Sequence, residues 1–293
     1  MSNPHESRAI GALVAGAVGI AFAPIFVRYA GHAGVGPSAA AFYRLAFAAP
    51  VAWLWAWRQP SSARRPTTLS ERLQLCLPGL CFAGDLAVWH WSILWTSVAN
   101  ATLLANFAPV FVTLLGWFLF RRRVRGLFVA GMATALVGAV LLVGESQAQS
   151  AQQFRGDLLG MLTALFYASY FVSVGWLRER FTTPTILAYA VTVAAVVLGP
   201  VAVVSGEPLG GYSAGGWGSV IGLAVVSQIL GQGLIIYALA HLPAHFSSVT
   251  LLLQPALAAV LAWWLFAERP NLQQAMGGLI MLAGILVARR GSR

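Results

Sequence analysis

The sequence predicts an all-α integral membrane protein: ten transmembrane helices in two inverted five-helix repeats around a central cavity, with both termini cytoplasmic. Three observations predict it: an apolar composition, ten apolar runs of spanning length, and a second half that repeats the first. Of 293 residues, 59% are hydrophobic and 9% charged, against about 25% charged in a typical soluble domain. Mean hydropathy is +0.76. So few polar residues cannot cover a water-facing surface, and lipid is the solvent that suits the chain.

A membrane helix needs about 20 mostly apolar residues. Ten runs qualify: 9–30, 36–57, 73–94, 97–120, 125–144, 156–177, 183–204, 216–239, 245–267 and 271–289. The longest connections are 58–72, 145–155 and 205–215. None houses a soluble domain, so function lies inside the bundle or at its faces.

The net charge of +10 comes from arginine, which supplies all 18 basic residues. They sit in short runs between apolar stretches, which is an orientation signal and not a nucleic-acid patch. Arg8, Arg58, Arg64, Arg65, Arg72, Arg121, Arg122, Arg123, Arg125, Arg178, Arg180, Arg289, Arg290 and Arg293 fall on one side. Arg155 and Arg269 fall on the other, Arg28 at a helix end and Arg44 within a helix. The positive-inside rule makes the rich side cytoplasmic, in accord with an even number of spans in an inner membrane. After the polar residues 1–8 the first apolar run is too long for a signal h-region, so no cleavable signal peptide is expected. Cys76 and Cys81, five apart, point to different helix faces, and neither a disulfide nor a metal site is expected.

Shifting the chain by 146 residues lays the fourth and fifth helices on the ninth and tenth. Pro109 meets Pro255, Trp117 meets Trp263, Leu119-Phe120 meets Leu265-Phe266, Arg123 meets Arg269, Gly131 meets Gly277 and Gly138 meets Gly284. A shift of 145 matches Gly11 with Gly156, Ala23 with Ala168 and Phe26-Val27 with Phe171-Val172. Apolar chains match small residues by chance; Trp, Pro and Arg matches at one constant shift point to duplication. The repeats are 8–144 and 156–290. Five spans is an odd number, so the second repeat must enter the membrane upside down. Inverted repeats around a midplane site are the architecture of many secondary transporters.

The stretches GDLAVWHWSILWTSVANATLLANFAPVFVTLLGWFLF (84–120) and ALAHLPAHFSSVTLLLQPALAAVLAWWLFAERP (238–270) resemble the EamA-type repeat of the drug/metabolite transporter superfamily. The best marks are the TSVANATLL and LPAHFSSVTLL helix starts, Pro109 and Pro255, and the terminal LFAERP. The first repeat departs from the last mark, with Arg121-Arg122-Arg123 where an acidic residue is usual. The resemblance covers about 8–290. It implies a ten-helix exporter of small metabolites, often amino acids. The same superfamily includes sugar-phosphate and nucleotide-sugar carriers and drug exporters, so the substrate stays open.

Ionisable groups within spans cost about 2.5–3.5 kcal/mol on insertion scales, so each needs a partner or a wet cavity. Arg44 lies about 12 Å deep in the second helix and Asp85 about 14 Å deep in the third. They either form a buried lock between helices, or Arg44 binds a substrate carboxylate and Asp85 takes a proton. Trp89 shares the Asp85 face and His90 lies near the outer end, while Trp91 and Trp95 suit the interfacial belt. Gln228 and Gln232, four apart in the eighth helix, suit the cavity, as do Tyr167 and Tyr170 in the sixth. Asn106, like Asn100, either lines the cavity or bonds a neighbouring helix. Pro109 and Pro255 stand mid-helix, where each frees a carbonyl and bends its helix; they are candidate hinges lining the cavity. The aromatic and amide groups suit an uncharged or zwitterionic ligand. The first helix has no carboxylate, unlike the small-multidrug mode of cation binding. No cofactor is expected. Beyond the lipid bilayer and a small-molecule substrate, the proton is a possible coupling partner, and either a monomer or a homodimer is compatible. An intramembrane enzyme is disfavoured: no HExxH and no aspartate dyad is present. A channel or scaffold fits a duplicated, inverted body less well than alternating access does.

Overall fold

The computed structural model describes residues 4–95, 101, 104–121, 124–143, 151–266 and 271–292, and every regular element among them is helical. In chain order these are α1 (Pro4–Ala21), α2 (Ala23–His32), α3 (Pro37–Trp57), α4 (Leu69–Trp95), α5 (Ala108–Phe120), α6 (Gly126–Val143), α7 (Ala151–Leu177) and α8 (Thr183–Val204). Next comes a rod made of α9 (Ala214–Gly222), a π-helical segment (Leu223–Gln232) and α10 (Gly233–Ala238), followed by α11 (Ala244–Thr250), α12 (Leu253–Phe266) and α13 (Leu272–Gly291). Among the described residues, seven helical runs are long and apolar enough to cross a membrane, and α5 and most of α6 form shorter apolar helices. The 27-residue α4 carries Glu71 and Asp85.

The chain divides into two compact units, Met1–Ala87 with Ser173–His241, and Val88–Val172 with Leu242–Arg293. Each unit draws on both halves of the sequence.

In the first unit α3 and α8 run antiparallel. Phe42 packs near Gly199, the Trp53 Nε1–H donates to Thr192 Oγ1 at 2.9 Å, and the Gln59 amide donates to Thr185 Oγ1 at 3.2 Å. α1 lies along the 214–238 rod, with Gly16 beside Ile235 and Gly19 beside Gly231. The Ser227 hydroxyl donates to the Gly19 carbonyl at 3.0 Å. The N-terminus of α3 follows Gly36, which has no side chain to cap it. Glu207, from the loop after α8, does so instead: its carboxylate accepts the Ser38 N–H at 3.2 Å and the Ala39 N–H at 2.8 Å. A carboxylate there satisfies orphan donors and suits the positive end of the helix dipole.

In the second unit α6 and α13 pack backbone to backbone. Phe128 faces Gly291, Gly131 faces Ala288, Ala135 faces Gly284 and Gly138 faces Met281. As one number rises the other falls by the same step, so the helices run antiparallel. Under the 146-residue shift the Gly138–Met281 contact becomes Gly284–Ala135, so the seam has local two-fold symmetry. Phe128, Met132, Ala135, Val249, Leu252, Met281 and Ile285 form a buried cluster over it, with Val110, Leu253 and Ala256 packed alongside. α13 opens on a capping box, the Asn271 side chain accepting the Gln274 N–H at 2.8 Å and the Gln274 side chain accepting the Asn271 N–H at 3.0 Å.

The two prolines are placed differently from expectation. The helical residues Leu104-Ala105 end in a turn at Asn106-Phe107, and α5 starts afresh with Pro109 in its first turn. α11 likewise ends before a turn at Leu251-Leu252, and α12 starts afresh with Pro255 as its third residue. Asn106 and Leu252 correspond under the 146-residue shift. The prolines therefore open new helical segments in place of bending continuous ones, because a first turn needs no N–H from proline. Tight bonds close both breaks, Phe107 N–H to Leu104 O at 3.0 Å and Leu252 N–H to Val249 O at 3.1 Å.

Two outcomes follow from this packing. A Cβ at Gly138 would collide with the Met281 backbone, whereas one at Gly116 meets nothing within 4 Å. Gly138→Ala is expected to destabilise by about 1–3 kcal/mol and Gly116→Ala to stabilise by up to about 1 kcal/mol; thermal unfolding in detergent separates them, and equal midpoints would refute the seam. At the start of α4, Glu71 accepts the Thr67 N–H at 2.8 Å and Arg64 Nη2 at 2.6 Å. These contacts, the Thr67 N–H first, hold its carboxyl at about 2 against an ordinary 4.5. A depressed acid stabilises the fold fully above its unfolded value and ceases to do so as pH falls through its folded value. The Glu71 carboxyl resonance should therefore titrate near pH 2, and Glu71→Gln should remove that part of the acid sensitivity.

Candidate functional site

The predicted polar residues fall into two groups, one in each unit. In the first unit Arg44, Asp85, Gln228 and Gln232 are all buried, the two glutamines only 1% exposed. Arg44 Nε donates to Gln228 Oε1 at 2.8 Å, and its guanidinium lies 5.8 Å from the centre of the Phe82 ring. Arg44 thereby joins α3, α4 and the π segment. A planar guanidinium suits this position because it bonds in its plane and stacks on its face. Gln228 and Gln232 both belong to the π segment, and, as in any helix of about four residues per turn, residues four apart share one face.

In the second unit Tyr167 and Tyr170 stack with ring centres 6.1 Å apart and planes at 17°. Phe171 lies 5.1 Å from Tyr167. Tyr170 and Phe171 are fully buried, while Trp89 is half-buried. The His90 side chain and all of Asn100 lie outside the described residues. The Asn106 side chain reaches the helix break, and its amide nitrogen is buried without a hydrogen-bond partner. So are the Gln254 amide nitrogen and the Ser247 hydroxyl, both in the same unit. Ser247 is fully buried. Sequence reasoning passed over these two. The position of Gln254, immediately before the duplicated Pro255, was the available signal. Ser247 had none beyond its place in the FSSVTLL start.

A buried donor without a partner costs about 1–3 kcal/mol. Three such groups stand beside the two helix breaks, each a donor with no acceptor within the protein, in an interior that strengthens any bond formed there.

The EamA-like transporter family matches residues 7–144 and again 154–290, so both halves carry its repeat. The chain belongs to the EamA-like transporter family. It is a multi-pass membrane protein of that family, with lipid as its surroundings and a small molecule as its substrate. Among similar proteins, an uncharacterized transporter of Archaeoglobus fulgidus is 26% identical over 252 residues, covering 84% of this chain and 85% of its own. A pseudopaline exporter of Pseudomonas aeruginosa is 24% identical, over 74% of each chain. A probable terminal-alkyne amino-acid exporter of Streptantibioticus cattleyicolor is 26% identical, over 79% of this chain and 77% of its own. A solved crystal structure shares the fold with a TM-score of 0.84 at 18% identity over 98% of each chain.

In this EamA protein, Gln228→Leu removes the acceptor of the Arg44 Nε–H. A buried charged donor that loses its acceptor is expected to cost about 1–3 kcal/mol. The measurement is the unfolding midpoint in detergent, and an unchanged midpoint would show that the bond carries no weight.

Proposed function

We propose that this EamA-family protein is a secondary transporter that exports small metabolites, amino acids foremost, across the inner membrane by alternating access. In this reading ten spans form two inverted halves, 8–144 and 156–290, around a central cavity, with both termini cytoplasmic. The observation that carries it is the duplicated helix break, with Asn106, Ser247 and Gln254 holding buried polar atoms that lack partners. Secondary transporters commonly bind substrate where helices are discontinuous, because interrupted backbone offers polar groups at the membrane midplane. The antiparallel seam of α6 and α13 supports inversion, since it joins equivalent helices of the two repeats running opposite ways. The names of two relatives, an amino-acid exporter and a pseudopaline exporter, support export of small polar solutes.

In the proposed cycle Asn106, Ser247 and Gln254 donate to substrate oxygens. Tyr167, Tyr170 and Trp89 form apolar walls, and Pro109 and Pro255 mark where the segments flex. Arg44 with Gln228, Gln232 and Asp85 forms the polar core of the other unit, where Arg44 attracts a substrate carboxylate and Asp85 carries the coupling proton. His90 belongs to the same proposed lining.

The test is uptake into proteoliposomes of purified protein, with an amino-acid panel and with or without a proton gradient. Saturable uptake of one amino-acid class is the expected result. Asn106→Leu and Gln254→Leu should each lower its rate about tenfold, the scale of one lost hydrogen bond to a charged group. Uptake of sugar phosphates alone, or unchanged rates in both variants, would overturn the reading.

A further inference from the structure

A second set of polar atoms without partners belongs to the first unit, far along the chain from Asn106, Ser247 and Gln254. It lies between α7 and α8, and the proposed transport cycle makes no use of it. Three arginines converge on Phe181, which is 2% exposed. The Arg64 guanidinium lies 5.6 Å from its ring centre and that of Arg180 lies 6.0 Å away. Arg178 Nη1 donates to the Phe181 carbonyl. Arg180 is further fixed by the Trp176 ring at 4.4 Å and by Gln74 Oε1, to which its Nη2 donates at 2.9 Å.

Two residues later α8 begins, and its N-terminus is uncapped. The N-cap Thr182 turns its hydroxyl to Gln59 and toward Thr185 and leaves alone the first-turn N–H groups, those of Thr183 and Thr185 on either side of Pro184. A helix N-terminus presents unbonded donors and the positive end of the dipole. Two independent observations show donors awaiting an acceptor here. The Thr183 hydroxyl is buried without a partner in a residue only 5% exposed, and Arg178 Nε is buried without a partner as well. Acidic groups only partly offset the cations: Glu71 pairs with Arg64 at 2.6 Å, and Glu179 stands between Arg178 and Arg180 in sequence. Arg58 and Arg65, after α3, and Arg72, in the first turn of α4, add charge near Arg64 in sequence.

We propose that this end of the first unit binds a phosphate-type oxyanion, supplied either by the headgroup of an anionic phospholipid or by free phosphate. Its oxygens accept from Arg178 Nε, the Thr183 hydroxyl and the first turn of α8, with Arg180 alongside. Phosphate suits the position because guanidinium forks and helix N-termini both match its geometry. The arginine-rich membrane face is also where anionic headgroups gather around cytoplasmic basic clusters. None of these residues is named in the proposed transport cycle, so the test of this site stands independently of that reading.

The experiment is the thermal unfolding of the detergent-purified full-length protein titrated with phosphatidylglycerol, with phosphatidylcholine, and with inorganic phosphate against chloride at equal ionic strength. The expected result is a saturable rise in midpoint with phosphatidylglycerol above phosphatidylcholine, or with phosphate above chloride. A response to the lipid alone identifies a headgroup; a full response to phosphate identifies the free ion. Arg178→Gln should raise the half-saturating concentration about tenfold and Thr183→Val about threefold, while Arg290→Gln, on α13, should leave it unchanged. No excess rise with either probe overturns the site, and so does equal weakening by Arg290→Gln and Arg178→Gln, which would mean attraction by bulk charge. If Arg178→Gln does not yield folded protein, Thr183→Val decides alone: a response equal to that of the unaltered protein overturns the site.

Discussion

One constraint organises this molecule: in a lipid-bounded interior, every polar atom must find its partner within the protein. Most of the structure meets it by continuous helices. Where a helix starts without its own cap, a distant residue supplies one, as Glu207 does for Ser38 and Ala39 at the head of α3. Where a charge lies deep, as at Arg44, an amide oxygen from another span accepts its Nε–H and an aromatic ring covers its face. Against this background the exceptions carry information. Asn106, Ser247 and Gln254 cluster by sequence at the two helix breaks, and Arg178 and Thr183 flank the entry to α8. Among the described residues, the buried side-chain donors without a partner fall at these two places, and both proposed sites rest on them.

The same constraint explains the α6–α13 seam. Helices in lipid gain nothing from the hydrophobic effect between them, so close approach of backbones is the main attraction available. Gly131, Gly138, Gly284 and Gly291 permit it by removing side chains at the contact. Duplication gives the seam its register. Because Gly138 and Gly284 are the same repeat position, whatever lets one approach its partner lets the other do so. A single helix sequence, used twice in opposite directions, thus fits against itself.

Much of this was legible in the residues. Apolar composition and run length anticipated the all-helical architecture, of which seven described runs are of spanning length, and the Trp, Pro and Arg matches pointed to the repeat that the family matches twice. The burial of Arg44 and Gln228 agrees with the expectation that neither faces lipid. Other features were hidden for physical reasons. The duplicated prolines marked the two places, but hydropathy sees transfer energy and not backbone hydrogen bonding, so the stop and restart of the helices at Asn106-Phe107 and Leu251-Leu252 was not readable. The π segment was hidden likewise, since one extra residue per turn leaves the composition unchanged. The capping of α3 by Glu207 joins residues almost 170 apart in sequence, beyond any local pattern. The compact units were also unreadable, because each mixes helices from both repeats, and repeat boundaries follow ancestry while compactness follows packing.

The choice of arginine for all 18 basic positions belongs to the same physics. A lysine ammonium is a strongly hydrated point charge that must remain in water or snorkel to it. Guanidinium is weakly hydrated, and it bonds along its edge while stacking on its face. Several arginines here use both directions at once. Arg44 bonds Gln228 and covers Phe82, Arg64 bonds Glu71 and lies near Phe181, and Arg180 bonds Gln74 and covers Trp176. In a body with few polar groups, a cation that accepts aromatic faces as partial solvent can stand at a membrane boundary or deeper where lysine would demand water. That leaves edge donors such as Arg178 Nε available to an incoming anion, because the aromatic and carbonyl contacts around them hold the side chains in place without exhausting their hydrogen bonds.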